Sequence, residues 1–147
     1  MKSSLKNHLP HLDAFKFLEP QDYQVIEEYM FLHEYEAGTY VCKEGGYGGY
    51  MFFIIGGEVE IIKQFDNQKQ VIATLTEGMS VGEMSLIDGR PRSATVRASA
   101  PLKLIVLKRE DFTKLTKTEP YVANKILMGI TSLLSQNLRA IDRKAHV

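Results

Sequence analysis

The spacing of apolar residues changes twice along this chain. Residues 3–36 follow a helical period. In "PQDYQVIEEYM", Tyr23, Ile26 and Met30 recur three and four residues apart and make one apolar face. Pro20 suits the first position of that helix, Gln21 and Asp22 suit its first turn, and Gly38 breaks the pattern. From 39 to 107 the period is two. "TYVCK", "YMFFII", "GEVEIIKQ", "QVIATL", "ATVRAS" and "LKLIVLK" are short runs rich in β-branched and aromatic residues. Turn signals separate them: "EGGYGG", Gly56-Gly57, "FDNQK", "TEGMS", "DGRP" and "SAP". Val59 and Ile61 alternate with Glu58 and Glu60, which predicts one buried and one wet face. The helical period then returns over 109–145. "REDFTKLTK" turns Phe112 and Leu115 inward, and Pro120 opens a last helix. Leu127, Ile130, Leu134 and Ile141 form a narrow coiled-coil-like stripe on it, with Asn137 in the remaining slot.

Helices, then many short strands at regular turn spacing, then helices predict a mainly β fold with flanking helices. The expected architecture is a sandwich or jelly-roll barrel, in one domain spanning 1–147 without repeats or linkers. The chain has 147 residues, enough for one well-formed core. Lys plus Arg equals Asp plus Glu, so the net charge is zero and no broad nucleic-acid footprint is expected. A local anion site is still open. The single cysteine, Cys42, is expected to be a small apolar strand residue rather than a reactive thiol. The N-terminus lacks the apolar core of a secretion signal, and no run is long enough to span a bilayer. A cytoplasmic protein without membrane contact is expected.

A barrel of this kind could instead house a metal enzyme, which needs two or three histidines and a carboxylate converging from strands. The four histidines, His8, His11, His33 and His146, are all expected outside the strand region, and His8 and His11 read as a surface pair. No Gly-x-Ser-x-Gly and no nucleophile with a placed histidine is present, so no enzyme is expected.

The chemistry concentrates in "VGEMSLIDGRPRSATVRA", residues 81–98. Gly82 permits a turn that a side chain would obstruct. "EMSLI" is long enough for one helical turn, whose first N–H groups lack internal partners and suit a negative ligand. Pro91 stiffens the approach to Arg92, which can offer a fork of donors to two phosphate oxygens. Ser93 adds a hydroxyl. Glu83 can only accept when ionised, so its natural partners are sugar hydroxyls. Donors for an anion beside an acceptor for a diol fit a ribose-phosphate. Arg90 is expected in solvent at a turn tip, and Arg97 outward from a strand or paired with a carboxylate. Taken singly, each element has an ordinary reading as a turn or a surface ion pair; order and spacing carry the functional one.

In that order the segment resembles the phosphate-binding cassette of cyclic nucleotide-binding domains. "EGGYGGYMFFIIGGEVEI" and "LKREDFTKLTKTEPYVANKI" resemble the family's segments before and after the cassette. The resemblance implies a β-roll that binds cAMP or cGMP, cAMP the favoured ligand. It implies Arg92 on the cyclic phosphate, Glu83 on the ribose 2′-hydroxyl, and Gly82, Met84, Ser85, Ser93 and Ala94 around the ribose-phosphate. Asn137 falls near the family's base-contacting position; the alternative, taken first, is a register-fixing seam residue in a dimer. The loop at 45–49 has Gly46 and Gly49 where many members carry Asp, a change expected to loosen it.

Two functional readings follow. In the first, a stand-alone regulatory module binds a cyclic nucleotide and signals through its last helix to a second copy or an unidentified protein partner. No room for a DNA-binding helix-turn-helix is expected after that helix. In the second, the same fold is a ligand-free interaction or dimerisation module.

Overall fold

The computed structural model of the chain describes residues 2–145. Among the described residues eight strands form two four-stranded sheets: β1 Met30–Tyr35, β2 Tyr40–Cys42, β3 Tyr50–Gly56, β4 Glu58–Phe65, β5 Gln68–Thr76, β6 Ser80–Val81, β7 Thr95–Ala98 and β8 Leu102–Lys108. One sheet runs β1-β8-β3-β6, the other β2-β7-β4-β5, and every pairing is antiparallel. The α-helices of the described residues are α1 Lys2–His8, α2 Pro20–Ile26, α3 Glu83–Asp88, α4 Arg109–Thr118 and α5 Pro120–Ala145. Short 3-10 turns at 9–11, 13–15 and 27–29 complete the N-terminal part.

The central strands β3 and β8 are apolar at nearly every position because both of their faces are covered. On β3, Phe52 and Ile54 point between the two sheets, where they meet Val59, Val96, Ala98, Leu104 and Val106. Met51, Phe53 and Ile55 point the other way, onto a helical layer containing Phe15, Ile26, Leu115, Ile126 and Ile130. One run of period-two residues therefore serves two cores.

The helical pattern expected to run to residue 36 stops earlier. Tyr23 and Ile26 lie on α2, but Met30–Tyr35 is a strand paired with β8 from Met30↔Leu107 to Tyr35↔Leu102. The i+4 spacing of Met30 from Ile26 coincides with the start of an alternating run, and ladder pairing with a distant strand decides between them. His33 lies in this strand, a correction to its expected place outside the strands. Ser80, the last residue of the expected turn "TEGMS", pairs with Phe53 of β3, and Val81 pairs with Phe52.

The last helix is tied to the N-terminal layer at two points. Asp22 is buried and accepts hydrogen bonds from the Glu19 amide and from Lys125 Nζ, both at 2.9 Å. Gly129 lies against the Ala14 carbonyl oxygen, which a Cβ at that glycine would meet at 1.8 Å. Leu127, Ile130 and Leu134 of the predicted stripe pack into the core of their own chain. The side chain of Ile141 lies outside the described residues, as does His146.

Candidate functional site

Gly82 ends β6 with φ +87°, in the left-handed region that glycine enters without a Cβ clash. It is the N-cap of α3, so Glu83, Met84 and Ser85 form that helix's first turn. An added Cβ at Gly82 would stand 2.1 Å from Arg92 Nη1, so the missing side chain is also what makes room for the guanidinium.

Arg92 reaches this place because its backbone is held on both sides. Its amide donates to the Gly46 carbonyl at 3.0 Å, and its own carbonyl accepts from Gly45 N–H at 2.7 Å. The glycine-rich loop is thereby hydrogen-bonded to the arginine's backbone. Lys63 Nζ donates to the Ser93 carbonyl at 2.6 Å and fixes the next residue.

The Arg92 side chain is only 6% exposed. Nη2 donates to the Tyr50 carbonyl, and the guanidinium carbon lies 4.3 Å from the Tyr50 ring centre and 5.7 Å from that of Phe52. Its Nε is buried without a partner. None of the ion pairs among the described residues includes it. Burial of an unpaired charge is costly, so this guanidinium is poised for an anion.

A hollow of about 370 Å³ opens beside it, lined by Gly82, Glu83, Met84, Ser85, Arg92, Ser93 and Ala94 among others. A second, of about 400 Å³, shares Ile61, Val81, Gly82 and Glu83 with the first and continues to Leu75, Leu133, Gln136 and Asn137. Both volumes suit a small organic ligand. Each predicted site residue thus lines one of two adjoining hollows, Asn137 the second. Glu83 Oε1 accepts from Ser80 Oγ at 2.8 Å, which holds the carboxylate near the junction of the two.

Several lining residues were not among those expected. Ile61 was legible as an inward residue of an alternating strand, though not as part of a site. Gln136 neighbours Asn137 on α5. Asp13, from a 3-10 turn at the other end of the chain, also lines the second hollow, and no local signal placed it there.

The other arginines behave differently. Arg90 is 84% exposed, with Nε 3.7 Å from Asp88. Arg97 pairs with Glu60 at 3.1 Å across β4 and β7. Cys42 packs at the barrel core, where burial pushes its thiol pKa up while Arg92 and the Val96 amide act in the opposite direction. Among the described residues no cluster of His, Cys, Asp and Glu is arranged for a metal, and no helix is long and apolar enough to cross a membrane.

Residues 32–119, more than half of the chain, match the family model described as the cyclic nucleotide-binding domain. The chain is 35% identical over 112 residues to a cAMP-dependent protein kinase regulatory subunit of Schizosaccharomyces pombe, covering 76% of this chain and 26% of that protein. It is 30% identical over 129 residues to the cyclic AMP receptor protein of Thermus thermophilus, covering 87% of this chain and 58% of the relative. The chain therefore spans less than two thirds of the length of these curated relatives. A solved cyclic nucleotide-binding domain from Methylobacillus flagellatus superposes with a TM-score of 0.88 at 30% identity, covering 97% of this chain and 83% of that one. Fold, cassette and sequence agree: the chain belongs to the cyclic nucleotide-binding domain family.

Proposed function

We propose that the two adjoining hollows bind one cyclic purine nucleotide, cAMP before cGMP, and that occupancy is passed to a partner through α5. Arg92 and the first amides of α3 take the cyclic phosphate. Ser93 and Ala94 close on it from the start of β7, with Met84 and Ser85 on the opposite wall. Glu83 accepts from the ribose 2′-hydroxyl. The base lies over Ile61 and Leu75, with its polar edge toward Asn137 on α5. The observation that carries this reading is the buried Arg92, without a carboxylate partner, beside a cavity of ligand size. A cyclic phosphate supplies the missing charge, and a hydrogen bond to a charged group contributes about 1.5–3 kcal/mol.

The preference for cAMP rests on the two relatives named for it. Signalling through α5 rests on its position: its N-terminal half is fastened to the helical layer, while Gln136 and Asn137 line the second hollow. A ligand touching both the cassette and Asn137 favours one arrangement of the helix, and coupling of about 1–3 kcal/mol suffices for a regulatory response. The outward side of α5 carries exposed Tyr121, Met128 and Leu138, apolar surface available to a second copy or another protein.

The test is thermal melting with cAMP and with cGMP. At one hundred times Kd, ligand adds about 2.7 kcal/mol to stability, so the expected result is a clear rise in Tm, larger for cAMP. Glu83→Gln should weaken cAMP but not 2′-deoxy-cAMP, which lacks the hydroxyl. An unchanged Tm at millimolar levels of both nucleotides leaves only an interaction module working through α5.

A further inference from the structure

Where a carboxylate would ordinarily hold a buried arginine, this chain has aromatic rings. The loop beside Arg92 offers glycines at 45, 46, 48 and 49, and its one acid, Glu44, faces away: Glu44 Oε1 accepts from the Gln64 amide at 3.0 Å and Oε2 lies 3.9 Å from Lys63 Nζ. Glu83 is engaged by Ser80. What touches the guanidinium is the Tyr50 ring at 4.3 Å, with Phe52 two residues along the same face of β3 at 5.7 Å. Tyr50 in turn neighbours Phe52 and Tyr47, at ring separations of 6.1 and 6.4 Å.

We infer that the Tyr50 ring, backed by Phe52, is the positioning platform for Arg92, fixing the guanidinium plane without neutralising it. The consequence is chemical. A carboxylate partner competes with the ligand for the same N–H donors and cancels the charge. A ring face attracts the cation through its quadrupole and leaves the in-plane donors free. In that plane Nη2 is engaged by the Tyr50 carbonyl, while Nε is buried without a partner and remains for an anion. The platform deepens the nucleotide reading above and rests on it for its effect on affinity.

The experiment uses Tyr50→Phe, which keeps the ring, and Tyr50→Leu, which removes it; both retain the backbone carbonyl. Tyr50→Met, which keeps more apolar volume, replaces the leucine variant should that one not fold. The first readout is the Nε–H resonance of Arg92 in the ligand-free protein, assigned by its loss in Arg92→Lys. It should be ring-shifted in wild type and Tyr50→Phe and lose that shift in Tyr50→Leu. The second is Kd for cAMP, expected unchanged in Tyr50→Phe and weakened roughly two- to thirty-fold in Tyr50→Leu, the range of one cation–ring contact. In an Arg92→Lys background the leucine change should cost less. A resonance that does not move between ring and leucine variants overturns the platform. So does full cAMP affinity in folded Tyr50→Leu. A ring-shifted resonance in a wild-type protein that binds neither cyclic nucleotide upholds the platform and overturns the nucleotide reading instead.

Discussion

Gly129 of α5 and Ala14 of the second 3-10 turn are in backbone contact so close that a Cβ on the glycine would stand 1.8 Å from the Ala14 carbonyl oxygen. In a solvent-facing helix, Gly→Ala gains up to about 1 kcal/mol from helix propensity. Here the methyl meets main chain, which cannot swing aside as a side chain can. Gly129→Ala is expected to destabilise the fold by about 1–3 kcal/mol, as overpacking does. Thermal melting checks it, at roughly 2–4 °C per kcal/mol for a chain of this size.

Asp22 gives a pH signature to the second tie between α5 and the N-terminal layer. Burial alone raises its carboxyl pKa, but the Glu19 amide and the Lys125 ammonium outweigh it and hold the group below its ordinary value of 3.8. A carboxylate depressed in the folded state stabilises fully above its unfolded pKa and loses that contribution as pH falls through the folded value. Urea melts of wild type and Asp22→Asn should therefore differ by a constant amount from pH 5 to 8. The difference should shrink below about pH 4.

Gly82→Ala should separate stability from binding. The left-handed φ of +87° costs a non-glycine residue about 1–2 kcal/mol. The added methyl also claims the place of Arg92 Nη1. Arg92 is flexible enough to retreat, so the fold should survive with a modest loss in Tm. Nucleotide affinity should fall further than that loss accounts for, as calorimetry on the folded variant would show.

Arg97 is the internal control. Its pair with Glu60 is partly exposed, and such pairs contribute about 0.2–1 kcal/mol. Arg97→Ala should lower Tm slightly and leave cAMP affinity within about twofold of wild type in the same titration.

The cassette was legible because its chemistry is local. Gly82, Glu83, Pro91 and Arg92 stand within eleven positions, and each residue's preference points to the same turn. The alternation of β3, β4 and β8 was equally readable. Met30–Tyr35 was not, because Tyr23, Ile26 and Met30 satisfy a helical spacing while the ladder that makes this run a strand lies on β8, far along the chain. The same limit hid the partners of Arg92. The segment 91–93 shows that an arginine is held there, and nothing near it says that Tyr50 and Phe52 will lie beneath it. Asp13 in the second hollow, Lys125 on Asp22 and Gly129 on Ala14 are likewise products of the packed chain. The coiled-coil spacing of Leu127, Ile130 and Leu134 was real, but the surface that receives these side chains is the chain's own helical layer.

Isothermal titration of cAMP into wild type and into folded Arg92→Ala tests the central claim most directly. One saturable site is expected in wild type, weakened at least about a hundredfold in the variant, the scale of losing one partner from a buried charge pair. Equal affinity in the two proteins would contradict the assignment of the buried guanidinium as the phosphate anchor.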